Sequence, residues 1–259
     1  MYENYLQLAQ SLAKKGGKVL TDNFGKLNES DVENKGIHDV VTYIDKQIEK
    51  MYTDEIKKTF PKHGIIGEEG TSNNPDNEFV WVIDPLDGTR NYTIQVPFYA
   101  TTLCLLQNKE PVMSVIYIPS IDKMYSAVKG GGAFLNEKQI KVSKETELIK
   151  SSVLYCHKAD EQLIRKTEKS AVELKLKAYD ADRLRSAGAE MGLIAEGLCD
   201  AYFLDGLPVW DMAAGSILIR EAGGKVTDFN GKEWECGDSS ILLSNGTKIH
   251  EEIIDIINK

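Results

Sequence analysis

Residues 79–89, which read FVWVIDPLDGT, constrain the fold of this chain more than any other segment. The apolar run at 79–83 predicts a buried strand, and Pro85 interrupts its pairing because proline has no N–H to donate. Gly88 then permits a tight turn. The strand therefore brings two acids, Asp84 and Asp87, to one end of a sheet. If a helix begins there, its first N–H groups have no partners, and carboxylates beside such donors suit a divalent cation that holds a phosphate.

Acids also stand at the ends of two other predicted elements. Glu68 and Glu69 follow an apolar strand at 64–67, and Asp211 begins a helix rich in small residues. Each has an ordinary alternative: a solvated strand exit, or a charge favoured by the helix dipole. Functional sites are commonly built where secondary elements end, so the three segments together predict a cation site.

The apolar periodicity predicts the elements around these acids. Helices are expected at 2–24, 41–60, 160–170, 188–198, 211–222 and 247–257. Strands are expected at 64–67, 79–84, 99–107, 112–118, 123–128, 133–135, 152–156, 177–180, 201–204, 225–227 and 240–243, with a short strand or turn at 32–36.

The order of these elements predicts an α+β first half and an α/β second half. Turn residues at 108–111 and 119–122 favour antiparallel pairing. The three glycines at 130–132 predict a tight hairpin and not a phosphate loop, because no Lys-Ser/Thr pair follows. We expect an N-terminal lobe at 1–144 with Glu68 and the 84–89 motif, and a C-terminal lobe at 145–259 with Asp211. The site should lie between them.

Composition excludes several classes of protein. A net charge of −9 argues against general nucleic-acid binding, which usually shows a basic face. No apolar run approaches the length that spans a bilayer, and the N-terminus lacks the pattern of a secretory signal. The four cysteines are far apart and form no Cys-x-x-Cys pair, as in reduced proteins. These features predict a cytoplasmic protein without a membrane partner.

Three motifs in this order resemble the inositol monophosphatase family of Mg²⁺-dependent, Li⁺-sensitive phosphatases. They are Gly67-Glu68-Glu69, residues 84–89 (DPLDGT) and residues 210–215 (WDMAAG). The resemblance extends from residues 39–42 through 130–136 to 221–224. It implies a layered α/β/α/β/α sandwich, a homodimer and hydrolysis of a small phosphomonoester.

The resemblance also implies roles for individual residues. Glu68, Asp84 and the Leu86 carbonyl would hold a first Mg²⁺, and Asp84, Asp87 and Asp211 a second, with Mn²⁺ as a substitute. Glu68 would also reach a weaker third ion. Thr89 and Asp45 would orient and deprotonate the attacking water, and the N–H groups of Gly88 and Thr89 would bind phosphate oxygens. Lys35 is either a mobile charge near the metals or a solvated lysine.

This sequence departs from the family pattern at a position that contacts the substrate in inositol enzymes. Inositol enzymes commonly place a glutamate at the position of Leu204, which cannot accept a hydrogen bond from a sugar hydroxyl. Asp205 is a candidate substitute, and Gly188, Ala189 and Glu190 are further candidates for substrate contact. Inositol 1-phosphate is the first expectation, with broad specificity. Fructose 1,6-bisphosphate, the 2′-phosphate of NADP and 3′-phosphoadenosine 5′-phosphate stay open as alternatives, as does a non-catalytic cation-binding protein.

Overall fold

The computed structural model describes residues 2–36 and 39–259, without the side chains at 29, 34–36 and 39. The predicted role of Lys35 rests on one of those side chains and so lies outside the described residues. The α-helices are α1 (Glu3–Asn23), α2 (Tyr43–Thr59), α3 (Thr89–Thr93), α4 (Glu161–Lys175), α5 (Ala187–Ala195), α6 (Val209–Glu221) and α7 (Ile249–Ile257). The sequence does not predict α3, because five residues are too few to show a helical period. None of the helices in the described part is both long and apolar enough to cross a bilayer.

A large sheet follows the first two helices. A two-stranded ribbon, β1 (Val32–Gly36) and β2 (Asp39–Thr42), precedes α2. The large sheet contains β3 (Gly64–Gly67), β4 (Ser72–Asn73), β5 (Phe79–Asp87), β6 (Ala100–Gln107), β7 (Glu110–Ile118), β8 (Lys123–Val128), β9 (Gly132–Leu135) and β10 (Lys138–Ile140). The spatial order of the strands is β10-β9-β8-β7-β6-β5-β3-β4. Strands β3 and β5 pair in parallel, and the other described neighbours in this sheet pair antiparallel. The glycines at 130–132 lie at the turn between the antiparallel strands β8 and β9, as the sequence predicts.

A second, mixed sheet is built from the other half of the chain. Its strands are β11 (Ser152–His157), β12 (Asp180–Asp182), β13 (Ala201–Asp205), β14 (Lys225–Thr227) and β15 (Ser240–Ser244), in the order β12-β11-β13-β15-β14. The prediction that a strand begins at residue 177 is wrong, because β12 begins at Asp180. The N–H of Ala178 donates to the Leu174 carbonyl at 2.7 Å, so the chain is still closing α4 there.

Apolar packing stacks these elements in five layers. Successive residues of β5 enter different cores, with Val82 on one face and Trp81 on the other, because side chains alternate along a strand. Helices α1 and α2 cover the outer face of the large sheet, α5 and α6 lie between the sheets, and α4 and α7 cover the second sheet. This is the predicted α/β/α/β/α sandwich. The predicted boundary near residue 145 falls between β10 and β11, and the division into two domains stays a prediction.

Candidate active site

Three aspartates meet where β5 ends and α6 begins. Asp84 and Asp87 belong to the end of β5, and Asp211 lies in the first turn of α6. Ligand oxygens of these carboxylates all lie within 4.8 Å of one another, and Asp84 and Asp87 are buried. The cluster therefore combines acids from both halves of the chain.

An irregularity in β5 explains how two of these acids reach one cluster. Residues three apart in a regular strand face opposite sides of a sheet. The pairing of β5 with β6 shifts register between Asp84 and Asp87, around Pro85. Within this step the Leu86 N–H donates to Asp84 Oδ1 at 3.0 Å, which fixes the first carboxylate.

Glu68 is brought to the same place by the neighbouring strand. It follows β3, which runs parallel to β5, and its N–H donates to the Ile83 carbonyl at 3.2 Å. Its carboxyl group is in hydrogen-bond contact with that of Asp84. All four predicted acids therefore lie together.

The charges of these acids make the cluster unfavourable without a cation. Burial is the largest cause that raises the pKa of Asp84, and the charges of Glu68, Asp87 and Asp211 raise it further. Burial also raises the pKa of Asp87, against the hydrogen bonds it accepts. Two unit charges about 4 Å apart repel by about 4 kcal/mol at an effective dielectric constant of about 20. A small divalent cation would relieve both costs, and a ligand set of carboxylate oxygens fits Mg²⁺ or Mn²⁺.

A hydroxyl–carboxyl pair lies beside the acid cluster. Thr89 Oγ1 is 2.9 Å from the Leu86 carbonyl oxygen and 3.2 Å from Asp45 Oδ1. Asp45 is buried in the first turn of α2, where it forms a capping box with Thr42. Burial is the largest cause that raises the pKa of Asp45. A carboxyl group of this kind can accept a proton through the hydroxyl that contacts it.

Gly88 makes the turn that places Thr89. It adopts a left-handed conformation with φ of 87° at the start of α3. A Cβ atom there would lie 3.1 Å from the Arg185 carbonyl oxygen and would be strained by the positive φ. Glycine thus allows the loop before α5 to approach the acid cluster closely.

Asp87 connects the two halves of the chain. Its carboxylate accepts hydrogen bonds from Ser186 Oγ at 2.6 Å and from the N–H groups of Ala187 and Gly188, each at 2.8 Å. These donors begin α5, where a negative charge is favoured by the helix dipole. The same contacts fix the orientation of Asp87 toward the cluster.

The acids lie in a cavity of about 920 Å³ between the two halves. The residues that line it are Val40, Glu68, Asp84, Leu86, Asp87, Gly88, Thr89, Arg90, Cys156, His157, Lys158, Ala159, Ile164, Arg183, Arg185, Ala187, Gly206, Leu207, Pro208, Trp210 and Asp211. Four cationic side chains therefore line the cavity together with the acids, and the cavity suits a substrate that is itself anionic.

Four of the predicted substrate residues do not line this cavity. The N–H groups of Gly188 and Ala189 are directed to Asp87. Glu190 is buried behind the loop and accepts hydrogen bonds from the N–H groups of Leu184 and Ser186 and from the Tyr202 hydroxyl. Burial raises its pKa to about 8. We therefore regard Glu190 as a support for the loop that carries Ser186.

Asp205 faces away from the cavity as well. It pairs with Lys166 of α4 at 2.7 Å, on the face of the second sheet opposite to Leu204, which is buried between the sheets. Alternation along β13 causes this difference, since neighbouring residues of a strand face opposite sides. The Asp205 carboxylate is therefore directed to Lys166 and not into the cavity.

Sequence reasoning missed several residues at the site. Arg183, Lys158 and Arg185 line the cavity, and Glu49 supports the loop that carries Glu68. Two arginines within three residues, just before the start of α5, are a signal that could have indicated an anion contact. No sequence pattern marks Glu49, because its partners lie about 20 residues further along the chain.

Glu49 positions the loop between β3 and β4. Its side chain, buried on α2, accepts hydrogen bonds from the N–H of Glu69 at 2.7 Å and the N–H of Thr71 at 3.0 Å. A Cβ atom on Gly67 would lie 2.5 Å from the Glu49 carboxyl group, so glycine is needed for this approach. The two bonds hold the turn from which Glu68 reaches Asp84.

We expect Glu49→Gln to weaken Mg²⁺ binding about 10- to 100-fold, the range for groups that orient metal ligands. Glutamine keeps the shape but has one acceptor oxygen, so one loop N–H would face an amide NH₂. The activity at saturating Mg²⁺ should change little. Phosphate release titrated with Mg²⁺ measures the midpoint, with Glu55→Gln on the same helix as the control. An unchanged midpoint in Glu49→Gln would contradict the positioning role.

Comparison with known proteins agrees with this geometry. The sequence model of the inositol monophosphatase family matches residues 1–259. A protein of Aquifex aeolicus described as a fructose-1,6-bisphosphatase/inositol-1-monophosphatase is 33% identical over 263 residues, covering 99% of this chain and 96% of the relative. A Nus factor SuhB of Xylella fastidiosa is 37% identical over 222 residues, covering 85% of this chain and 80% of the relative.

Solved structures show the same likeness. The IMPase of Thermotoga maritima superimposes with a TM-score of 0.90 at 32% identity, covering 100% of this chain and 97% of the other. A suhB protein of Bartonella henselae gives a TM-score of 0.93 at 28% identity, covering 99% of both chains.

Proposed function

The chain belongs to the inositol monophosphatase family and is a phosphoric monoester hydrolase, and from this we propose that it releases phosphate from small phosphomonoesters, including inositol 1-phosphate, with Mg²⁺ as cofactor. The observation that carries the proposal is the convergence of Glu68, Asp84, Asp87 and Asp211 beside the Thr89–Asp45 pair. A site that served stability alone would have no need of a hydroxyl in contact with a buried carboxyl group.

The acids supply the ligand set for the cofactor. Glu68, Asp84, Asp87 and Asp211, with the Leu86 carbonyl, would hold two or three Mg²⁺ ions, with Mn²⁺ as a substitute. When bound, such ions polarise the phosphoryl oxygens and make water more acidic.

The chain's own residues would then direct the attack of water on phosphorus. Thr89 Oγ1 orients the water, and the water proton passes through this hydroxyl to Asp45 as the new P–O bond forms. The N–H groups of Gly88 and Thr89 hold phosphate oxygens. The bond between phosphorus and the ester oxygen breaks, the leaving alkoxide takes up a proton from solvent water to give the alcohol, and Asp45 returns its proton to the solvent.

Broad specificity is inferred from the absence of a hydrogen-bond acceptor at position 204. Leu204 is buried and offers no acceptor for a sugar hydroxyl, and Asp205 is paired with Lys166. We therefore propose that inositol 1-phosphate is one of several substrates. Lithium sensitivity and a homodimer stay predictions from the family resemblance.

Phosphate release with and without Mg²⁺ tests this function. We expect turnover of inositol 1-phosphate in Mg²⁺, loss of turnover on chelation with EDTA, and recovery on adding Mg²⁺. Fructose 1,6-bisphosphate, NADP and 3′-phosphoadenosine 5′-phosphate belong in the same panel. If Mg²⁺ raised the melting temperature but none of these esters were hydrolysed, the non-catalytic cation-binding alternative would be correct.

A further inference from the structure

We propose that Asn91 is a positioning residue for phosphate release, because it holds the turn at 184–186 that keeps Asp87 oriented toward the acid cluster. The inference rests on the proposed function and adds a residue to it. Asn91 lies in α3, two positions after Thr89, and is not among the described residues that line the cavity. Its effect on the reaction must therefore pass through other residues.

The side chain of Asn91 connects three segments of the chain. It is only 1% exposed, and its Nδ2 atom donates to the Phe98 carbonyl at 2.8 Å and to the Leu184 carbonyl at 2.7 Å. The Oδ1 atom has no partner among the described residues, so the two carbonyls alone fix the orientation of the amide. The amide thus joins α3 to the segment before β6 and to the loop before α5, which lies 93 residues further along the chain.

The turn that Asn91 holds is strained. Arg185 adopts a φ of 66°, in the left-handed region that a residue with a Cβ atom occupies only at a cost in free energy. Buried Glu190 accepts hydrogen bonds from the N–H groups on both sides of Arg185, those of Leu184 at 2.7 Å and Ser186 at 3.2 Å. Strain of this kind persists only where surrounding contacts hold it, and Asn91 and Glu190 both supply such contacts to Leu184.

Asn91 and Glu190 hold the turn from different halves of the chain. Glu190 lies in α5, in the same half as the turn, so it fixes the shape of the turn. Asn91 follows the end of β5, in the half that carries Asp84 and Asp87, so it fixes where the turn lies relative to these acids. This second constraint sets the position of Ser186 with respect to the acid cluster.

Ser186 carries the constraint to a predicted metal ligand. Its Oγ atom donates to Asp87 Oδ2 at 2.6 Å, and the N–H groups of Ala187 and Gly188, which follow it, donate to the same carboxylate. A turn that moved away from β5 would withdraw these donors and let the Asp87 carboxylate rotate. Groups that orient a metal ligand in this way determine how tightly the ligand binds its cation. Asn91 therefore acts on the reaction through the geometry of Asp87.

A double-mutant cycle tests this route from Asn91 to Asp87. Asn91→Leu keeps the branched shape of the side chain and removes its donors, and Ser186→Ala removes the hydroxyl that contacts Asp87. Mn²⁺ binding measured by calorimetry should weaken about tenfold in each variant, at the lower end of the range for groups that orient metal ligands. Because both changes interrupt one route, the double variant should stay within about twofold of Ser186→Ala.

A matched control and a measurement of turnover make the result specific. Asn245→Leu removes another buried amide, whose Nδ2 atom donates to Ser143 Oγ at 2.8 Å and to the Glu145 carbonyl at 3.0 Å, away from the cavity. This control should leave Mn²⁺ binding unchanged. Phosphate release titrated with Mg²⁺ should show a higher midpoint in Asn91→Leu, while kcat at saturating Mg²⁺ changes little. If Asn91→Leu melts below the control in EDTA, Asn91→Ala takes its place in the cycle.

This proposal and the proposed function can fail separately, because calorimetry needs no turnover. Weaker Mn²⁺ binding with a non-additive cycle, in a protein that hydrolyses none of the esters, would retain the positioning of Asp87 and reject the phosphatase. Three results would overturn the positioning role even if phosphate release were normal. They are unchanged Mn²⁺ binding in Asn91→Leu, losses that add fully in the double variant, and an equal loss in Asn245→Leu.

Discussion

Replacing Asp84 by asparagine is expected to lower turnover about a thousandfold or more and, at the same time, to make the metal-free protein more stable. The two effects have a common origin. Asp84 is buried and contacts Glu68, and its carboxylate lies within 4.8 Å of those of Asp87 and Asp211. It is therefore the acid that most needs a cation.

The loss of activity follows from the loss of a charged ligand. Metal ions contribute several kcal/mol to stabilising the charge that develops in a transition state, and about 4 kcal/mol corresponds to a thousandfold in rate. Asparagine keeps the oxygen that accepts the Leu86 N–H, so the backbone of the site should be preserved. The effect should therefore appear in turnover and metal affinity and not in the fold.

The gain in stability follows from the direction of the pKa shift. Burial, then the neighbouring acids, raises the pKa of Asp84 well above its ordinary value of 3.8. An acid whose pKa is higher in the folded protein than in the unfolded chain does not reduce stability at low pH, where it is protonated in both states. Stability falls as the pH rises above the unfolded-state pKa toward the folded-state pKa. The folded protein is therefore destabilised near neutral pH. Asparagine does not ionise and avoids this loss of stability. We expect the melting temperature in EDTA to rise by about 2 °C or more, and the Mg²⁺-induced increase to disappear.

Melting curves with and without Mg²⁺ and phosphate release provide the measurement, with Asp200→Asn as a matched control. Asp200 is also buried and also accepts a backbone N–H, from Ser152 at 2.8 Å. It stands at the opposite end of β13 from the cavity and outside the acid cluster. The control should keep its activity and show no gain in stability. A less stable Asp84→Asn protein in EDTA would show that the acids do not repel one another as we infer.

The sequence alone predicts the elements that carry the acids, because those signals are local. The apolar run that ends at Asp84 and the small-residue helix that begins near Asp211 are each contained in about ten residues. Their boundaries shift by a few residues where tertiary contacts extend an element, as in β5, which continues past Pro85 to Asp87. Local patterns were sufficient for the order of helices and strands, whereas the layered sandwich was expected from the family resemblance.

The parts that could not be predicted depend on contacts between distant residues. Asp87 is held by Ser186 and by the start of α5, about 100 residues away, and Glu49 reaches across to Thr71. Glu190 and Asp205 have the right chemistry for a substrate contact, but packing directs one behind a loop and the other to Lys166. The contact between the Arg183 guanidinium and Cys156, which are 27 residues apart, has no local signal.

Removing the hydroxyl of Thr89 is expected to lower kcat about 100- to 10,000-fold with little change in Mg²⁺ binding, the range for loss of a proton-transfer group. Thr89→Val keeps the volume of the side chain but cannot contact Asp45, which now lies 3.2 Å from the hydroxyl. The carboxylates of the acid cluster are untouched by this change. Turnover and metal affinity should therefore separate here, whereas both are lost in Asp84→Asn.

Two variants make this separation specific to the hydroxyl. Thr89→Ser restores an Oγ atom and should recover most of kcat. Thr93→Val removes a hydroxyl from the same short helix, where it donates to the Arg90 carbonyl at 2.9 Å, and should leave kcat unchanged. The Mg²⁺-induced rise in melting temperature should persist in all three variants. If Thr89→Val kept a normal kcat, the water would have to lose its proton to another group, and the pair of Thr89 and Asp45 would serve only to cap and pack α2.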